Sequence, residues 1–150
     1  MIRQHQSTDR PALLALLELG MKETYPDLCS LPPASLQRRV ADEFAHYYGI
    51  HSKIIWIADS NSQVAGCLWT MKSFHPVTDL ADLFIVNVGV FPAFRKRGLA
   101  RQLFGTAISY ASEHGLARIR LFVNPANISA YRLYEQLGFS PQTHEMCLSL

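Results

Sequence analysis

Arg95-Lys96-Arg97-Gly98-Leu99-Ala100 joins an apolar run, Leu83 to Phe91, directly to a stretch with the spacing of an amphipathic helix. Where a strand runs into a helix, the first helical N–H groups lack intrahelical acceptors and point outward with the positive end of the helix dipole. Such a junction attracts anions, phosphate above all. Gly98 removes a Cβ where main chain must approach a ligand, and Ala100 adds little bulk, so a diphosphate can lie against the backbone. Two common phosphate loops are excluded. A Walker A loop needs Gly-Lys-Ser/Thr, whereas Gly98 is followed by Leu99, and a dinucleotide fingerprint needs two further glycines. By themselves Arg95, Lys96 and Arg97 read equally as a solvated turn.

A second pattern gives the first its meaning. In Asn127-Ile128-Ser129-Ala130-Tyr131-Arg132-Leu133-Tyr134-Glu135-Gln136-Leu137-Gly138-Phe139, Asn127 is a helix cap, while Ala130, Leu133, Tyr134 and Leu137 fall along one side. Gly138 suits the left-handed residue that ends such a helix. Together, Val90-Phe91-Pro92 with the loop at 95–100, and Asn127, Ala130, Tyr134, Gly138 and Phe139 further on, resemble the GNAT superfamily of acyl-CoA N-acyltransferases. The resemblance is sharpest over residues 83–139.

The resemblance implies an α/β (α+β) fold: one mixed, mostly antiparallel sheet of 6–7 strands, helices on both faces, and a splayed parallel strand pair that holds CoA. It implies that acetyl-CoA is the co-substrate, with no metal. It places the main chain of Val88 and Val90 along the pantetheine arm, the N–H near Val88 or Gly89 on the acyl oxygen, and Arg95, Lys96, Arg97, Gly98, Leu99 and Ala100 on the diphosphate. Asn127 falls on the pantetheine side and Tyr134 at the sulfur. Many relatives carry a basic Glu on the strand before the loop, and that position here is Phe84. Asp82, on the same strand face, is then a candidate base, with His46, His75, Glu23 or a water chain as alternatives. Glu23, Tyr25 and Asp27 are candidates for the acceptor side.

Composition sets limits. At 150 residues with 49% hydrophobic content, the chain is expected to form one domain, 1–150. A net charge of +2 gives no ground for nucleic acid as a partner. Cys29, Cys67 and Cys147 are odd in number and widely spaced, which suggests neither disulfides nor zinc. They read as structural, in a reducing cytoplasm. The amino terminus lacks the apolar core of a signal peptide, and no apolar run is long enough to span a bilayer, so no membrane partner is expected. A monomer or homodimer is expected.

Along the chain, Ile2–Gln6 opens as a strand and Ser7-Thr8-Asp9 caps a leucine-rich helix ended by Gly20. A second helix follows through Leu36, Val40, Phe44 and Tyr47, the two forming a removable lid. Lys53–Ala58 and Val64–Met71 are a hairpin. Within the strand from Leu83, Gly89 signals a bulge or a close approach. Leu99, Leu103, Phe104, Ala107, Ile108 and Ala111 mark the buried face of the next helix, closed by Gly115, and strands follow at 118–123 and 146–150.

Acyl transfer requires the acyl carbon to be held beside a neutral amine, with stabilisation of the oxygen and of the departing thiolate. Three functions fit. The first is an N-acetyltransferase acting on a primary amine of a small or amino-acid-like molecule. The second is a protein N-terminal or lysine acetyltransferase, and the third a noncatalytic acyl-CoA-binding module.

Overall fold

The computed structural model describes residues 1–75 and 77–150. In chain order the elements are β1 (Ile2–Gln4), α1 (Arg10–Thr24), α2 (Pro33–Tyr48), β2 (Lys53–Ser60), β3 (Gln63–Phe74), β4 (Ala81–Val90), α3 (Leu99–Glu113), β5 (Arg118–Arg120) and α4 (Ile128–Gln136). The sheet has the order β1-β2-β3-β4-β5, antiparallel except for the parallel β4–β5 edge. Among the described residues it has five strands rather than the 6–7 expected. The β2–β3 hairpin closes on Asn61 and Ser62, both with positive φ, the backbone that a two-residue turn needs to match the strand twist.

Strand alternation sends apolar side chains to both faces, and each face has its own helix layer. Leu13, Leu16 and Leu17 of α1 and Phe44 of α2 pack on Ile55, Ile57, Cys67 and Trp69. Leu103, Phe104 and Ala107 of α3 pack on Trp56, Leu68, Leu83 and Ile85. The first layer is therefore core and not a removable lid. Burying each of its leucines contributes about 2 kcal/mol. Of the α3 face read from spacing, Ile108 stays 46% exposed, lying at the edge of the stripe.

Four further expectations are corrected. α1 runs past Gly20 to Thr24, because Gly20 serves a close approach: a Cβ there would lie 2.6 Å from Asn87 Oδ1. The bulge in β4 falls at Val86, where the ladder steps from Trp69↔Asn87 to Thr70↔Ile85. Gly89 is the close approach that the sequence offered as its other reading, for its Cβ would stand 3.2 Å from Leu16 Cδ2 of α1. The 118–123 strand shortens to β5, and residues 146–150 form no strand. Their alternation is only a local signal, and a strand exists only where a neighbouring strand completes the ladder.

Candidate active site

Two departures from regular structure meet at the carboxyl end of β4. The first is the loop. Pro92–Phe94 makes one 3₁₀ turn, Lys96 takes φ +61°, and Gly98 caps α3 at φ +76° with nothing within 4 Å of where a Cβ would be. Left-handed residues turn the chain sharply, the backbone setting in which successive N–H groups can face one anion. Gln102 is the first residue of α3 to donate back, to Gly98 O, so the N–H groups of residues 96–101 have no acceptor among the described residues. Of the loop's cations, Arg95 is engaged: its Nε donates to Val90 O (2.9 Å) and its Nη2 to Glu23 Oε1 (2.6 Å). Arg97 donates to Ala93 O and stacks on Phe94, while Lys96 stands exposed.

The second departure is the gap beside β4. β4 and β5 are paired only from Asp82↔Arg118 to Phe84↔Arg120, and beyond that they separate. Phe91 N–H donates to Ala65 O across β3, so by alternation the N–H and C=O groups of Val88 and Val90 point the other way, into the gap. The N–H and C=O of Val88 and the N–H of Val90 are thus left unpaired by β3, while Val90 O is taken by Arg95 Nε. The unpaired groups form a binding edge for an extended, amide-containing chain.

α4 flanks the gap. Asn127 Oδ1 accepts from Ala130 N–H at 3.3 Å, so this side chain is engaged as the helix cap. Tyr134 packs edge-on against Phe104 (5.9 Å) and Phe139 (5.8 Å), which fixes its ring, and Gly138 at φ +92° returns Phe139 to that cluster. Burial pushes the phenol up to about 12. The hydroxyl accordingly stays protonated across the neutral range and is available as a hydrogen-bond donor.

On the acceptor side the sequence candidates divide. Glu23 is tied to Arg95, bridging the end of α1 to the loop. Tyr25, 60% exposed, lines a cleft of about 530 Å³ with Met21, Leu28, Arg39, Asp42 and Glu43, all from α1, α2 and the turn between them. That cleft includes no residue of β4 or β5. Asp27 is exposed. Asp82 is fully buried rather than a solvated edge residue, and both its oxygens already accept from Arg120, with Arg118 Nε at 3.5 Å. A carboxylate so buried serves as the counter-ion of two arginines rather than as a group open to solvent. His75 Nδ1 accepts from the N–H groups of Val77 and Thr78, and His46 stands exposed on α2 beside Tyr47.

Two asparagines escaped the sequence reading. Asn87 points under α1 with its Nδ2 buried and without an acceptor among the described residues. Asn124 Nδ2 donates to Thr24 O (3.3 Å), joining the end of α1 to the chain beyond β5. A lone amide inside the Val-Ile run was the available signal for Asn87; nothing local marked Asn124. Cys67 lies buried beneath α1 with its thiol pushed up to about 12, which removes it as a nucleophile. Among the described residues no His, Cys, Asp and Glu side chains cluster as a metal site, and no helix is long and apolar enough to cross a membrane.

Residues 21–139 match the model of the Acetyltransferase (GNAT) family. The chain is 31% identical over 138 residues to the mycothiol acetyltransferase of Thermobispora bispora, covering 90% of this chain and 44% of that protein. It is 25% identical over 117 residues to N-acetyltransferase family 8 member 3 of Rattus norvegicus, covering 78% and 49%. The chain thus spans about half or less of these relatives' lengths. Its backbone superposes on a ribosomal-protein-alanine N-acetyltransferase from Brucella melitensis biovar Abortus 2308 with a TM-score of 0.73 at 16% identity, covering 100% of this chain and 99% of that one. At that identity the likeness speaks to the fold.

Proposed function

The chain belongs to the acetyltransferase (GNAT) family, and we propose that it moves the acetyl group of acetyl-CoA directly to a primary amine of a small, amino-acid-like acceptor. The observation that carries the reading is the gap between β4 and β5 opening onto unpartnered N–H groups at residues 96–101. One end suits a diphosphate and the other an amide-bearing arm, the two chemistries of CoA. Gly98 and Ala100 let the diphosphate reach backbone, and Lys96 and Arg97 add positive charge. Arg95 shapes the loop by holding Val90 O.

The bound thioester supplies an activated acetyl group. The N–H of Val88, facing the gap, is the donor nearest in kind to what a developing oxyanion needs. Tyr134 donates its hydroxyl hydrogen bond to the sulfur as charge collects there. With the phenol near 12 and an ordinary thiol near 8.5, full proton transfer would be uphill by about 5 kcal/mol. Hydrogen bonding, not protonation, is its part. No carboxylate takes the place of Phe84, and Asp82 is held by arginines. The acceptor therefore loses its proton to water. Asn127 stays on the cap and braces α4 beside the pantetheine side.

A small acceptor is favoured because two ties narrow the entry beside α1, Glu23 to Arg95 and Asn124 to Thr24. Calorimetry of acetyl-CoA with EDTA present, followed by mass spectrometry of amines incubated with acetyl-CoA, tests the reading. Metal-independent binding and an acetylated amine are expected. Failure of the folded protein to bind would overturn it, and acetylation confined to protein amines would replace the acceptor.

A further inference from the structure

Charge is unevenly spread around the loop at residues 96–101. On the α1 flank the loop's Arg95 is neutralised by Glu23, and the cleft beside that turn carries Asp42 and Glu43. On the α4 flank the balance is reversed. Arg101, in the first turn of α3, donates from Nη2 to Gln136 Oε1 (2.6 Å) at the end of α4. Arg132 stands four residues before Gln136, one turn away on the same face of that helix. Two guanidinium groups therefore lie about one helical turn apart, next to the exposed Lys96 and Arg97. Arg101 and Arg132 are themselves exposed, and among the described residues no carboxylate pairs with any of these four cations. Glu135, the one acidic residue of α4, is likewise in no ion pair among the described residues. The acceptor of Arg101 is a neutral amide, so the guanidinium is held in place with its charge uncompensated.

We propose that Arg101 and Arg132 hold the 3′-phosphate of CoA, and that the protein thereby selects CoA over dephospho-CoA. The inference rests on the acetyltransferase reading above and adds a second anion site to it. CoA carries its diphosphate and its 3′-phosphate on one ribose, so the two anions sit one sugar ring apart. Arg101 serves both places: its N–H is the last of the unpartnered set at 96–101, and its side chain turns to α4. With the pantetheine arm in the gap, the nucleotide leaves the loop toward one flank or the other. A phosphate monoester carries a charge of about −1.5 to −2 at neutral pH. Carboxylates on the α1 flank repel it, and the uncompensated arginines on the α4 flank attract it. Two neighbouring guanidinium groups then give it charge-assisted, forked hydrogen bonds.

Calorimetric titration of CoA and of dephospho-CoA into the protein tests this, with the ratio of the two affinities as the readout. At about 50 mM salt CoA is expected to bind about tenfold more tightly, and at about 0.5 M salt the ratio shrinks to about twofold as exposed charges are screened. Arg101→Gln and Arg132→Gln each lower the low-salt ratio to about threefold, and the double variant abolishes it while dephospho-CoA binds as before. Arg38→Gln, on the exposed face of α2, removes the same charge from another element and keeps the ratio. A variant that merely loosened α4 would weaken both ligands together, so the ratio separates a lost contact from a disturbed fold, and a thermal melt checks each protein. Equal binding of CoA and dephospho-CoA, a ratio that survives the double substitution, or a ratio lowered as much by Arg38→Gln overturns the 3′-phosphate site and leaves the acetyltransferase reading standing. Failure of the folded protein to bind either ligand overturns that reading, and this site with it.

Discussion

Tyr134 is held by Phe104 and Phe139 in a setting that raises its pKa to about 12, so in the proposed reaction its part at the sulfur is to donate a hydrogen bond that strengthens as the thioester breaks. Tyr134→Phe keeps the ring packing and removes only the donor. Under conditions where chemistry limits the rate, kcat is expected to fall about 10²-fold with acetyl-CoA affinity nearly unchanged. Unchanged kcat would leave Tyr134 a packing residue. Gly98 makes the opposite kind of contribution, since it matters by having no side chain. A Cβ there meets nothing within 4 Å in the free protein, so the space is open to a ligand. Its φ of +76° adds a backbone cost of about 1–2 kcal/mol for any other residue. Gly98→Val is expected to lose CoA binding by 100-fold or more in calorimetry while the melt shifts only by that strain. CoA binding at the natural affinity would place the diphosphate elsewhere.

The helices α3 and α4 were legible because their signals are local: Gly115 and Gly138, read as helix terminators, both take a positive φ. Gly20 was misread as a terminator, and Gly89 left two readings open, for one shared reason: each is a glycine because of a partner distant in sequence. Neither a terminator nor a bulge can be told from a close packing contact without that partner. The Val86 bulge and the bare tail at 146–150 are likewise decided by the neighbouring strand, and the arginine pair that encloses Asp82 comes from β5, far along the chain. The Gly20–Asn87 contact gives a direct measurement at this scale. Gly20→Ala gains about 1 kcal/mol in helix propensity but drives Cβ into Asn87 Oδ1. In the natural background the variant is expected to be no more stable than the parent, and in an Asn87→Ala background to be more stable by about 1 kcal/mol. Additive effects in chemical denaturation would mean that α1 and β4 do not meet at this point.

Seen across the molecule, the sheet carries its two helix layers on opposite faces, and its parallel β4–β5 pairing ends at Phe84↔Arg120, beside which we place CoA. The same architecture leaves the acceptor side without a free carboxylate at Phe84, and that has a consequence for rate and pH. An amine of pKa about 10.4 needs about 4.6 kcal/mol to be neutral at pH 7, whereas one of pKa about 8 needs about 1.4. With water taking the proton, as proposed, turnover follows the neutral fraction of the acceptor itself. Within a series of closely shaped amines, kcat/KM at pH 7 is therefore expected to rise as acceptor pKa falls. Each profile should climb about tenfold per pH unit until it reaches that amine's own pKa, then level off. Lower nucleophilicity of the weaker bases opposes the trend, but it costs less than the gain in neutral fraction, so the slope keeps its sign. A limb at one pKa shared by every amine would instead reveal a base in the protein. Asp82→Asn then decides whether it is that carboxylate, by removing the limb while CoA affinity is unchanged, or whether a histidine such as His75 must be sought.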